Sequence, residues 1–144
     1  MGRISKQVQV VRAIDRLNIG GPSYHVLLLS RSLNKKGYKT ILLKGCLAPG
    51  EEELLDVVQQ TGVRPHEVDG LGRAVSPFQD FRALVGFYRM IRQIRPQVVH
   101  THKSKAGLLG RLAAWIAGVP ITVHTFHGHI FKGYFPLWKS KLII

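Results

Sequence analysis

Five of the seven histidines fall in two short runs, His100-Thr101-His102-Lys103-Ser104-Lys105 and His124-Thr125-Phe126-His127-Gly128-His129. An imidazole can donate or accept a hydrogen bond, carry a proton near neutrality, or hold a metal. Each run closes an apolar, β-rich stretch, so each marks the end of a strand. Strand alternation sends His100 and His102 to the same side, and His124 with Phe126 likewise. Three chemistries compete for such a cluster. The plainest is a set of polar positions satisfied at the rim of a sheet. The second is a metal site built from histidine. It lacks H-E-x-x-H or H-x-x-H helical spacing, and no carboxylate is close in sequence. The third is recognition of a hydroxylated, anionic ligand, with neutral His and Lys donating to hydroxyl and phosphate oxygens.

A second candidate is Asn18-Ile19-Gly20-Gly21-Pro22-Ser23. Two glycines let backbone approach a ligand closely, and the helix start behind them offers free N–H groups to a phosphate. The plain alternative is a tight strand-to-helix turn. The dinucleotide fingerprint G-x-G-x-x-G is missing, and the second strand ends in Lys44-Gly45 where a ribose-binding acid would be wanted. There is no G-x-x-x-x-G-K-[ST] phosphate loop either.

A third candidate is the helix expected from Phe78 to Arg95. Arg82, Arg89 and Arg92 recur at i, i+7 and i+10, a stripe read as opposite Phe81, Leu84, Tyr88 and Ile91. Such a stripe is either a solvated basic face or a contact for anionic lipid, worth roughly 1 kcal/mol per basic residue near that surface. Nucleic acid is not expected as a partner. The basic helices carry no RNP-like aromatics, no helix-turn-helix signal and no zinc knuckle.

Charge sharpens these options. Lys and Arg number 21 against 8 Asp and Glu, a formal net charge of +13 over 144 residues. All eight acids lie in residues 1–80. Residues 81–144 hold 10 bases and no acid, so a carboxylate base or acid pair must come from elsewhere. One cysteine, Cys46, excludes an internal disulfide framework. The start of the chain lacks a cleavage-like site, and no apolar run reaches the roughly 18–20 residues of a membrane span. The expectation is a cytoplasmic domain.

The elements that must position these residues are well punctuated. Strands are expected at Val8–Ile14, Lys39–Lys44, near Val63–Val68, at Gln97–His102 and at Ile121–Phe126. Helices are expected from Pro22 to about Lys36, from Glu51 to near Gly62, after the capping-box pattern Ser76-Pro77-Phe78-Gln79, and from Ala106 to Ala117. Another apolar segment begins at Leu137 and runs to Ile144. Alternating strands and helices imply an α/β fold, a Rossmann-like doubly wound parallel sheet with helices on both faces. Ligands of such sheets bind at the carboxyl ends of the strands, where both histidine runs and the glycine pair stand.

Gly20-Gly21-Pro22 with His25-Val26, then Val98-Val99-His100-Thr101-His102-Lys103 with its Gly/Ala-rich helix, then Val119-Pro120 to Thr125-Phe126-His127-Gly128, together resemble a known family. The likeness is to the N-terminal domain of retaining, nucleotide-sugar-dependent glycosyltransferases of the GT-B fold (family 4-like), of the kind that builds bacterial polysaccharide or lipid-linked glycans. It covers nearly the whole chain. It implies an acceptor-side domain over residues 1–144, truncated at its end, with the donor-binding domain absent and the chain alone inactive. It implies that Gly20 and Gly21 approach the donor diphosphate, that His127 contacts the transferred sugar, and that His102 and Lys103 line the acceptor side. His25 is read as packing. No metal or other cofactor is implied, since helix N-termini and Lys/Arg groups stabilise the leaving diphosphate. The implied partners are a nucleotide-sugar donor and a glycan or lipid-linked acceptor, with peripheral contact at the inner membrane face. Two rivals stay open: a non-catalytic basic module binding anionic lipid or nucleic acid, and a sugar-nucleotide epimerase of the same fold.

Overall fold

The computed structural model describes residues 7–128. His129 and the apolar segment expected from Leu137 lie outside the described residues. Five parallel strands alternate with four helices: β1 (Gln9–Ile14), α1 (Gly21–Lys35), β2 (Lys39–Lys44), α2 (Leu55–Thr61), β3 (Pro65–Glu67), α3 (Pro77–Ile94), β4 (Val98–His102), α4 (Ser104–Ile116) and β5 (Ile121–Thr125). The sheet order is β3-β2-β1-β4-β5. The reversal of direction at β1 places its carboxyl end, and those of β4 and β5, at a topological switch point.

Alternation along the strands builds two cores, one on each side of the sheet. Val11, Ala13, Leu43 and Val99 face Phe87 and Ile91 of α3 and Ala106, Leu109 and Ala113 of α4. Ile14 and Leu42 face Val26 and Leu27 of α1, with Leu17, Leu54 and Val63 closing the cluster. The glycines of α4 let it lie close to the sheet. A Cβ on Gly107 would stand 2.5 Å from His124 Cε1, and one on Gly110 would stand 2.8 Å from Thr101 Cγ2. Burying Phe87 fully is worth roughly 1.5–3 kcal/mol.

Two local expectations are corrected. The second helix does not begin at Glu51. Glu51 pairs with Arg16 and accepts the Ala48 N–H, while Glu53 pairs with Lys44. The acids meet cations on neighbouring segments, and α2 starts only at Leu55. In α3 the buried seam is Ala83, Phe87 and Ile91, at i, i+4 and i+8. Phe81 and Tyr88 are exposed and lie beside Arg82 and Arg89 rather than opposite them. Ser76 does hold the N-cap position before Pro77, but its side chain makes no capping hydrogen bond.

Candidate functional site

Parallel register sets the side chains of the switch point. Arg12 pairs with His100, Ile14 with His102, and His102 with Thr125, so these residues share the α1 side of the sheet. The His100 and His102 rings stack with centroids 4.2 Å apart. His102 Nδ1 lies 3.0 Å from His127 Nε2 across the gap between the two strand ends. The structure therefore brings together His102 and His127. It adds His25, whose ring stands 5.3 Å from that of His127 and 6.0 Å from that of His102. His25 is exposed, so the packing role expected of it is corrected: α1 presents it over the end of β4. His124 goes to the other side. Its Nδ1 meets the Thr101 hydroxyl at 2.9 Å and its ring packs edge-on against Phe126.

Burial sets the protonation of this cluster. Desolvation, then the neighbouring His100 and Arg12, pushes His102 down to about 2. Desolvation and Arg12 bring His100 to about 4. His127 is lowered by burial first and by His25 and Lys103 after it. These three rings are neutral at pH 7, the state in which each offers one donor and one acceptor. Arg12 is 2% exposed, and burial lowers it to about 10, so it stays a cation.

Lys103 follows directly. Its φ of 62° with ψ of −174° puts a non-glycine residue at the N-cap of α4 in a conformation that side chains rarely adopt, a strain of about 1–3 kcal/mol. Its Nζ donates to Asn18 Oδ1 at 3.1 Å, which ties the end of β4 to the glycine loop after β1. Burial lowers the Lys103 ammonium, and Arg16 lowers it further. Asp15, at the end of β1, accepts the Ala106 N–H and so supplies the cap that α4 lacks from its own residues. Burial raises the Asp15 carboxyl, opposed by that N–H and by Lys103.

One ring nitrogen from each of His25, His102 and His127 lies within 4.8 Å of the others, which is the donor set of a small metal site. The surroundings oppose it. Lys103 and Arg12 bear on the same rings, and a dication gains from carboxylate neighbours rather than cations. An array of neutral imidazoles beside an ammonium suits a hydroxyl-rich anion better.

Among the described residues the glycine loop is open. A Cβ on Gly20 would meet only Pro22 Cδ at 3.9 Å, and one on Gly21 would meet nothing within 4 Å. Gly20 has extended backbone that any residue adopts. The fold itself thus does not require glycine at either position. Further along the same edge, beyond β2 and β3, a cavity of about 730 Å³ opens between Cys46–Pro49 and Asp69–Ala74, with Gln79 at its rim. On the outside of α3, Arg82 pairs with Asp69 and lies over the Phe78 ring, while Arg89 and Arg92 are exposed.

A family model described as a glycosyl transferase 4-like domain matches residues 20–143. The chain belongs to this family. Its five-stranded parallel sheet is that of one half of a GT-B fold. Over 70 residues it is 44% identical to the UDP-Gal:alpha-D-GlcNAc-diphosphoundecaprenol alpha-1,3-galactosyltransferase of Escherichia coli, covering 49% of this chain and 18% of that one. Over 132 residues it is 27% identical to the UDP-N-acetylglucosamine--N-acetylmuramyl-(pentapeptide) pyrophosphoryl-undecaprenol N-acetylglucosamine transferase of Vibrio atlanticus (strain LGP32), covering 85% of this chain and 36% of that one. It also superposes on the UDP-GlcNAc 2-epimerase of Neisseria meningitidis bound to UDP-GlcNAc, with a TM-score of 0.66 and 13% identity. That match covers 93% of this chain and 36% of the epimerase. The chain thus spans well under two thirds of these curated relatives' length.

Sequence reading missed Arg12, Asp15 and the role of His25. For Arg12 the signal was present: one charged residue inside an otherwise apolar strand, Val10-Val11-Arg12-Ala13-Ile14. For Asp15 it was an acid directly at the end of that strand.

Proposed function

We propose that this chain is the acceptor-side domain of a retaining glycosyltransferase. The enzyme moves a hexose from a nucleotide sugar to a hydroxyl of a lipid-linked or polysaccharide acceptor. The observation that carries this reading is the carboxyl edge at β1, β4 and β5: neutral His102 and His127, the Lys103 ammonium, and a glycine loop with room beside it. In this reading Gly20 and Gly21 admit the donor diphosphate, which meets the Gly21 N–H at the start of α1, where Pro22 has no N–H and Ser23 and Tyr24 already donate to Gly20 C=O. His127 contacts the transferred sugar. His102 and Lys103 line the acceptor side. Catalysis here is positioning plus electrostatic stabilisation of the departing diphosphate, which needs no metal from these residues. The second domain, which grips the nucleotide, is supplied by sequence outside these 144 residues, and this chain alone does not turn over.

The relatives' names support UDP sugars as donors and undecaprenol-linked glycans as acceptors. Such acceptors lie at a membrane. No helix among the described residues is long and apolar enough to cross one. Peripheral contact at the cytoplasmic face is supported by α3, where Phe78 and Phe81 are 69% and 64% exposed beside Arg82, Arg89 and Arg92. Aromatic rings with flanking arginines suit a headgroup layer. The likeness to an epimerase bound to UDP-GlcNAc favours a second reading, epimerisation of a sugar nucleotide.

The test is to incubate the complete gene product with radiolabelled UDP-galactose or UDP-N-acetylglucosamine and GlcNAc-diphosphoundecaprenol in detergent. Transfer of label to the lipid is expected. Conversion of UDP-N-acetylglucosamine to its 2-epimer, with no label on lipid, would replace this reading by the second.

A further inference from the structure

Arg12 lies inside the sheet with its Nε and Nη1 unpartnered among the described residues, and its Nη2 stands 3.2 Å from His100 Nδ1. A guanidinium only donates. His100 Nδ1 must therefore be the bare, accepting nitrogen, because an N–H there would face a second N–H. His100 is neutral, its imidazolium disfavoured down to about pH 4, so its one proton is on Nε2. His100 Nε2 stands 2.8 Å from Thr125 Oγ1, which consequently accepts. The Thr125 proton is left over. Among the described residues, the Thr125 hydroxyl makes no other hydrogen bond. Thr125 ends β5, is half-buried, and lies two residues before His127.

We infer that Arg12 is a positioning residue that orients every proton of the Arg12–His100–Thr125 chain outward. The Thr125 hydroxyl is thereby committed to donate to a ligand oxygen, a sugar hydroxyl or phosphate oxygen, at the β4–β5 edge. The ligand class rests on the transferase reading above; the direction of the chain does not. A buried cation without a carboxylate partner is costly to keep. Here its effect is to deny His100 the opposite tautomer, in which Thr125 would donate inward and present only lone pairs to the ligand.

The direction is tested without any ligand. Long-range proton–nitrogen correlation spectra of this chain at pH 7 should show His100 protonated on Nε2 and bare on Nδ1. In Arg12→Met, which removes the buried charge at similar volume, the Nδ1–H form should appear. If that variant fails to fold, the unsubstituted spectrum decides alone. His100 carrying its proton on Nδ1 overturns the inference.

The ligand role is read in the complete gene product. Thr125→Val should lower kcat/KM by about 10- to 100-fold, and Thr125→Ser should restore it to within about threefold. Adding Arg12→Met to Thr125→Val should cost no more than about a further twofold, since both act through one hydroxyl. Full activity in Thr125→Val, or independent losses in the pair, overturns the ligand role. An unsubstituted protein with no transferase activity overturns the functional reading and the ligand role with it, while the tautomer result stands by itself.

Discussion

The two halves of the carboxyl edge treat charge differently, although Lys105 at the start of α4 also pairs with Asp80. Toward β2 and β3, cations meet acids: Arg16 with Glu51 at 2.7 Å, Lys44 with Glu53 at 2.9 Å and with Glu67 at 3.6 Å, and Arg82 with Asp69. Toward β4 and β5, among the described residues, Arg12 is buried without an acid, Lys103 is held by a neutral amide, and His102 keeps one buried ring nitrogen without a partner. Satisfied charge holds loops together and has nothing left to offer. Unsatisfied donors beside an open loop are a standing cost in stability, which is the usual signature of a site shaped for a ligand.

Acid should separate the halves most strongly. His100 and His102 titrate far below the ordinary value of about 6.5 in the folded state. Below that value the unfolded chain binds protons that the folded chain does not. Stability should therefore fall as pH drops from about 6.5 toward 4, by on the order of 1 kcal/mol per pH unit for each ring. Urea unfolding at pH 7 and pH 5 measures it, and His100→Gln should remove one proton's share of the slope. Equal stability at the two pH values would break the contrast.

Asp15→Ala comes next. It leaves the buried Ala106 N–H without a partner and should cost about 2 kcal/mol in urea unfolding. Lys44→Met breaks both pairs on the β2 side and should cost about 0.5–1 kcal/mol by the same measurement. A larger loss than that of Asp15→Ala would show that the paired half holds the fold more than the open half. Gly20→Ala and Gly21→Ala should change stability least, by under about 0.5 kcal/mol, because both have room for a methyl. Their thermal melts should overlay the parent while transfer by the complete gene product falls.

Strand and helix order, the parallel sheet and the pairing of the two histidine runs were legible in the sequence, because apolar runs and Gly/Pro punctuation are local signals. The His102–His127 contact itself is seen only in the structure. What was not legible depends on partners distant in sequence. Glu51 and Glu53 read as the start of a helix, but Arg16 and Lys44 hold them outside it. His25 read as packing, because only the position of α1 over β4 shows that it faces two other rings. Of the apolar stripe expected on α3, Ile91 is buried and Leu84 packs on the core, while Phe81 and Tyr88 are exposed, because burial against Val68, Leu71 and α4 selects the face of Ala83, Phe87 and Ile91. The arginine stripe is likewise divided by structure: Arg82 is engaged by Asp69, and Arg89 and Arg92 remain for a surface.

The proposed transferase site at the β4–β5 edge stands or falls with His127→Ala. Its ring is only partly buried and its one described hydrogen bond is to His102. Measured in the complete gene product, sugar transfer should fall by about 100-fold or more, while the unfolding free energy stays within about 1 kcal/mol of the parent. Transfer at the parental rate in the folded variant would remove His127 and the β4–β5 edge from the transferase site.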